Sequence, residues 1–223
     1  MRLFALFALY LVPLAALAAC ATTPPPPPPP PPPPSTAPDG GAPVLMDWRG
    51  VMTSADRDRY QRRDAAWRLA LDQARRLKGS GDLSRLDELT EPGAARPGVA
   101  PPVGNYRCRT VKLGSQSGDD GLGYVVYGWF ACRIEDTPRG LKFVKVTGSQ
   151  RPSGLLFPEN DREMVMLGSM ALGTEPPANS YGQTPDRDLV AVLERIGEAR
   201  WRLVIPWPQN ESNLDLIELV PAA

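Results

Sequence analysis

From Gly104 onward the chain is a train of short apolar runs, each closed off by turn residues. Eight can be marked: 105–113, 123–135, 140–147, 151–157, 163–171, 188–196, 199–205 and 213–220. Runs of this length at near-regular spacing restrict the region to an antiparallel sandwich or a closed up-and-down barrel. In 124–134 both alternating sets are apolar: Tyr124, Val126, Phe130 and Ile134 on one side, Val125, Tyr127, Trp129 and Ala131 on the other. A strand apolar on both sides is expected to be covered on both.

Two cysteines fall on this pattern. The midpoint between Cys108 and Cys132 is position 120, inside the turn Gly118-Asp119-Asp120-Gly121. A hairpin folded there sets the two directly across from each other, within disulfide reach. Closing such a loop stabilises a fold by roughly 3–4 kcal/mol on the chain-entropy account. No redox motif surrounds either cysteine.

The preceding stretch supplies a cover. Thr53-Ser54-Ala55-Asp56 has capping-box form, and helical periodicity then predicts a helix over about 54–78. Tyr60, Trp67, Leu71, Ala74 and Leu77 form its apolar stripe. Asp58 with Arg62, Asp64 with Arg68, and Asp72 with Arg76 place the acid four residues ahead of the base, worth ~0.2–0.5 kcal/mol each. Asp82 caps a short second helix edged by Leu83, Leu86 and Leu89 and ended by Pro92. Pro92, Pro97, Pro101 and Pro102 make 92–104 a linker or a wrapping segment. The fold class is therefore mainly β, with about eight antiparallel strands in an up-and-down, calycin-like barrel or sandwich under N-terminal helices.

The first 45 residues are of another kind. Arg2, the apolar run Leu3 to Leu14 and the small residues Ala15 to Ala19 form a secretory leader, shorter than the ~20 residues that span a bilayer. Leu17-Ala18-Ala19-Cys20 resembles the lipobox of bacterial lipoproteins, which implies removal of residues 1–19 and diacylglycerol on Cys20. Ordinary cleavage after Ala16-Leu17-Ala18 is the alternative. Ala21 after the cysteine, by analogy with enteric sorting, points to the outer membrane. Residues 24–34 are all proline, a polyproline II spacer of about 34 Å; a ligand for proline-reading domains is the rival reading. The expected organisation is a signal peptide (1–19), a lipidated, proline-rich tether (20–45), a helical segment with linker (46–103) and a β-rich domain (104–223).

Composition narrows the chemistry. The chain has no histidine, which excludes Ser-His-Asp and Cys-His nucleophile systems and every His-ligated metal site. Catalysis would rest on carboxylates, Lys, Tyr or Arg, and no catalytic residue, cofactor or metal is indicated. Formal net charge is zero, so no nucleic-acid partner is expected. Asp119-Asp120 lacks the oxygens of a calcium loop. The pairs Glu159 with Asp161 and Asp186 with Asp188 are loop carboxylates that sequence cannot set at glycosidase separation.

The best local concentrations of ligand-holding groups are Ser149, Gln150 and Arg151 on one turn, and Trp201 with Arg202 on one strand. Each has a structural reading. The turn's polar groups can satisfy backbone, and strict alternation puts Trp201, Leu203 and Ile205 on one face and Arg200 and Arg202 on the other, where Glu194 and Glu218 can pair with them. Three functions stay open: a non-enzymatic binding module with a small-molecule, glycan or protein partner in the envelope, a carboxylate-based hydrolase of envelope polymers, and a purely structural lipoprotein.

Several separated phrases go together. They are Tyr106-Arg107-Cys108-Arg109 with Lys112-Leu113-Gly114, Phe130-Ala131-Cys132-Arg133-Ile134, Lys145 to Arg151, Glu194-Arg195-Ile196-Gly197 with Arg200 to Pro206, and Glu211-Ser212. From about residue 47 to the end, the chain resembles the bacterial domain-of-unknown-function family 4893. The resemblance implies a periplasmic envelope protein and supplies no activity, substrate or catalytic residue.

Overall fold

The computed structural model describes residues 47–222. The leader, Cys20, the proline tract and the rest of the tether before Asp47 lie outside the described residues. Three helices come first: α1 (Trp48–Val51), α2 (Ser54–Gln61) and α3 (Arg63–Arg76). A two-residue strand β1 (Gly79–Ser80) follows, then eight long strands: β2 (Gly104–Leu113), β3 (Tyr124–Thr137), β4 (Gly140–Lys145), β5 (Gln150–Pro158), β6 (Glu163–Leu172), β7 (Asp188–Gly197), β8 (Arg200–Pro206) and β9 (Leu214–Pro221). Sequential strands pair antiparallel, β2 returns to β9, and β3 to β4 completes the ring. The eight apolar runs are thus the eight staves of a closed up-and-down barrel. β1 is an addition, laid parallel on the start of β3.

Closure needs a tight bend, and β5 and β6 provide it. Gly154 faces Gly168 across the ladder, and a Cβ on either would sit within 2.6 Å of the other strand's backbone. Glycine is required there because the two backbones approach too closely for any side chain.

Residue alternation sorts an inner core from two outer clusters, one of which packs Phe157, Val165, Leu167 and Val190 beneath Trp48 and Met52. Tyr106, Cys108, Cys132, Phe143, Met166, Leu193, Trp201, Leu203 and Leu219 point into the barrel. Val111, Leu113, Val192, Ile196, Val204, Leu214 and Leu216 point outward and lie beneath Trp67, Ala70 and Ala74 of α3 and beneath Leu86 and Leu89.

The helix expected over 54–78 is broken at Arg62, whose backbone leaves helical geometry. No helix breaker stands there. Tertiary contact with Trp207 coincides with the break: its indole donates to the Arg62 carbonyl (3.1 Å), and the Arg62 guanidinium stacks on its ring. Thr53 caps α2 through the Asp56 amide. Asp58–Arg62 and Asp72–Arg76 pair as the spacing predicts; Asp64 and Arg68 do not. The short second helix is two 3-10 turns, Leu83–Arg85 and Asp87–Thr90. A buried amide clasp, in which Asn213 Nδ2 (2.7 Å) and the Ser115 backbone N–H (3.0 Å) both donate to Gln73 Oε1, fastens α3 to the barrel.

Two expectations are corrected. The helices cover β5 to β9, the end of β2 and the start of β3, where Tyr124 and Val126 pack against the outer cluster, so only the following part of β3 is left bare: Tyr127 and Trp129 are about two-fifths exposed. Trp129 is shielded instead by the guanidiniums of Arg107 and Arg109, each about 5 Å from its ring. The disulfide forms, but Cys108 stands opposite Phe130 and Cys132 opposite Tyr106. The bond therefore joins diagonal neighbours, with Cα atoms 5.8 Å apart. Arg109 pairs with Trp129 but Val111 pairs with Val126, so β3 carries one extra residue at Tyr127 and Gly128. The register is off the simple midpoint because the turn, with Leu113 opposite Tyr124, is itself centred before position 120.

The segment 92–104 wraps. Arg96 bridges to Arg195, and buried Val99 accepts the Trp201 indole N–H (2.8 Å) at one end of the barrel.

Candidate functional site

An eight-stranded barrel has an interior that side chains just fill, and this one is filled for most of its length. Val99, Tyr106 and Trp201 close one end; Phe143, Met166, Leu193 and Leu203 occupy the middle. At the opposite end a cavity of about 40 Å³ remains, room for roughly three waters. Met170, Leu172, Leu189 and Ile205 form its walls, while Lys112, Asp215 and Gln150 bring polar groups to it.

The charges at this mouth are buried, which is costly unless they are paired. Lys112 extends from the end of β2 and donates to Asp215 on β9 (2.9 Å); Ser212 donates to the other carboxylate oxygen of Asp215. Burial works against the Lys112 charge, but Asp215 and Glu211 outweigh it and hold its pKa above the ordinary lysine value. Lys145, on β4, donates to the carbonyls of Thr147 (3.0 Å) and Gln150 (2.8 Å) and lies over the Phe130 ring. No carboxylate pairs with it among the described residues, and burial, aided by Arg151 and Lys112, lowers its pKa to about 8. Ionisable groups shifted by burial and clustered beside a cavity make this end of the barrel the candidate site.

On the outer side of Lys112 an open cleft of about 300 Å³ is lined by Leu122, Tyr124, Val125 and Tyr127. Glu211 sits at the junction. Its carboxylate reaches Lys112 (3.2 Å) and Gln150 (3.4 Å) while its side chain stays more than half exposed. Its backbone is left-handed, at φ 73°, as is that of Trp207 at φ 49°, conformations uncommon outside glycine. Gln116 pins the loop that carries them by donating to Pro208 and Ser212 and, from its backbone, to Glu211.

The five candidate ligand residues do not share one place. Ser149, Gln150 and Arg151 stand at the mouth. Gln150 lines the cavity, Ser149 accepts the Gly173 amide, and Arg151 donates to the carbonyls of Gly148, Gly173 and Glu175. Trp201 is at the far end, edge-on to Tyr106. Arg202 is outside the barrel and fully buried under the cover. It bonds Glu194 (2.6 Å) and the carbonyls of Glu88, Leu89, Glu91 and Pro92, over the face of Trp67. Arg200 pairs with Glu218. Sequence reasoning missed Lys112, Lys145, Glu211 and Asp215 as a group. One signal could have found the first: a lumen-facing Cys108 places Lys112, four residues on in the same strand, on the same inner face.

A family model described as "Domain of unknown function (DUF4893)" matches residues 48–219. No curated protein and no solved structure gives a significant match.

Proposed function

The chain belongs to the DUF4893 family, and from that premise we propose that it is a lipid-anchored binding module of the bacterial envelope that recognises its ligand at the barrel mouth. One observation carries the reading: the lumen is lined by buried apolar side chains, and at its mouth Lys112, Asp215, Gln150 and Glu211 meet a small cavity and an open cleft. A filled barrel is a scaffold rather than a carrier, so recognition belongs to its rim. The lipobox at Cys20 supports attachment to the periplasmic face of the outer membrane, with residues 21–45 as the tether. A hydrolase is less well supported, because the buried Asp215 is engaged by Lys112 and Ser212.

Two measurements test the proposal. Cys20→Ser should shift the protein from membrane pellets to the soluble periplasmic fraction; unchanged fractionation contradicts the anchor. Denaturing the purified protein should release a small molecule that is absent from the double variant Lys112→Met with Asp215→Leu, which removes both buried charges together. Release of nothing from either, or of the same molecule from both, contradicts recognition at the mouth.

A further inference from the structure

Glu211 is an exposed side chain that reaches toward a buried ammonium. Its contacts are at the long end, 3.2 Å to Lys112 and 3.4 Å to Gln150, against 2.9 Å for the bond between Lys112 and Asp215. Its backbone holds a conformation that non-glycine residues rarely adopt. The carboxylate thus occupies the solvent side of Lys112 loosely, at the inner wall of a cleft whose other side is Leu122, Tyr124, Val125 and Tyr127.

We infer that Glu211 is a built-in stand-in, and that the cleft takes a ligand bearing a carboxylate on an apolar body, which displaces Glu211 from Lys112 and Gln150. This rests on the mouth being the binding site and names the chemistry the mouth selects. Three features fit together. Lys112 is bonded to Asp215 on its inner side at 2.9 Å and meets Glu211 on its outer side at 3.2 Å, so the ammonium that Glu211 contacts is open to another anion if Glu211 swings away. Gln150 presents its amide beside that ammonium, giving a carboxylate two donors of different kind. The apolar wall includes Leu122 and Tyr127, which are about half and two-fifths exposed and have the surface an amphiphile would cover. A cationic ligand would have to face the Lys112 ammonium, and a neutral one would leave it without a counter-charge on its outer side. Displacement also sets a threshold, since any ligand must outcompete a carboxylate tethered beside the site.

The probe is 3-phenylpropanoate, compared with 3-phenylpropanamide and 3-phenylpropylammonium, titrated calorimetrically into the chain carrying Cys20→Ser. The acid should bind best. Glu211→Gln, a change at an exposed position, should tighten it by about fivefold, the size of an exposed ion pair. The amide should gain little from the same substitution. Lys112→Met with Asp215→Leu should abolish the preference for the acid, and a thermal melt confirms that this double variant is folded. If amide and acid bind alike, the mouth remains a site but carboxylate selection is wrong. If Glu211→Gln weakens the acid or leaves it unchanged, Glu211 is not a stand-in. If the acid binds neither the parent chain nor the Glu211 variant, the inference is overturned regardless of what co-purifies with the protein.

Discussion

Replacing Arg202 by alanine is expected to destabilise the domain by about 3–5 kcal/mol, the range for breaking a buried ion pair on one side. The substitution strands the Glu194 carboxylate in a site from which water is excluded. It also strips a shared donor from the carbonyls of Glu88, Leu89, Glu91 and Pro92. Burial already works against both charges, lowering the pKa of Arg202 and raising that of Glu194. Arg202→Met combined with Glu194→Leu should therefore recover most of the loss. Urea unfolding of the single and double variants measures both effects. A single variant within about 1 kcal/mol of the parent would mean that the pair does not hold the cover down.

Loss of the disulfide is the second large effect. Cys108→Ala with Cys132→Ala should cost about 3 kcal/mol, from the entropy regained by an unfolded chain no longer looped over 24 residues. For a domain of this size that corresponds to a fall in Tm of roughly 6–12 °C. Both sulfurs face the lumen beside Tyr106 and Phe130, so the alanines also leave a small void. Calorimetry with and without reductant checks the figure, and intact mass before and after reduction checks the bond. Two free thiols in the purified protein would contradict the pairing itself.

The eight strands were legible because period-two alternation survives burial, and each strand lies within one or two residues of its apolar run. That Arg200 and Arg202 share one face, within reach of Glu194 and Glu218, was legible from alternation; which arginine takes which carboxylate comes from the strand register, Arg200 with Glu218 and Arg202 with Glu194. What could not be read depends on how neighbouring strands meet. The bulge at Tyr127 and Gly128 adds one residue to β3 and shifts the β2–β3 register by one, and nothing in their identity announces it. The bulge also splits the strand's alternating sets, turning Phe130 and Ile134 inward while Trp129 shares the outer face of Tyr124 and Val126, where it finds two arginines rather than a helix. The site was harder still. Lys112 and Asp215 are 103 residues apart and become partners only because β2 closes the barrel against β9. Gln150 and Glu211 meet for a similar reason, brought together by two loops at one rim.

The charges therefore divide into two sets with different work. Arg109, Glu218, Arg202 and Glu194 stand in register across the outside of β2, β9, β8 and β7; Glu88 joins from the cover through Arg200. They hold the outer layer on. Lys112, Asp215, Lys145 and Glu211 sit at the mouth, where recognition is proposed. Methyl-resolved NMR of the Cys20→Ser chain titrated with 3-phenylpropanoate separates these roles most directly. The account predicts shifts at Leu122, Val125, Leu172, Leu189 and Ile205, with Leu203, Leu219 and Ile134 in the filled lumen and Leu86 and Leu89 under the cover unmoved. Shifts that spread through Leu203 and Leu219 while the mouth stays still would contradict it.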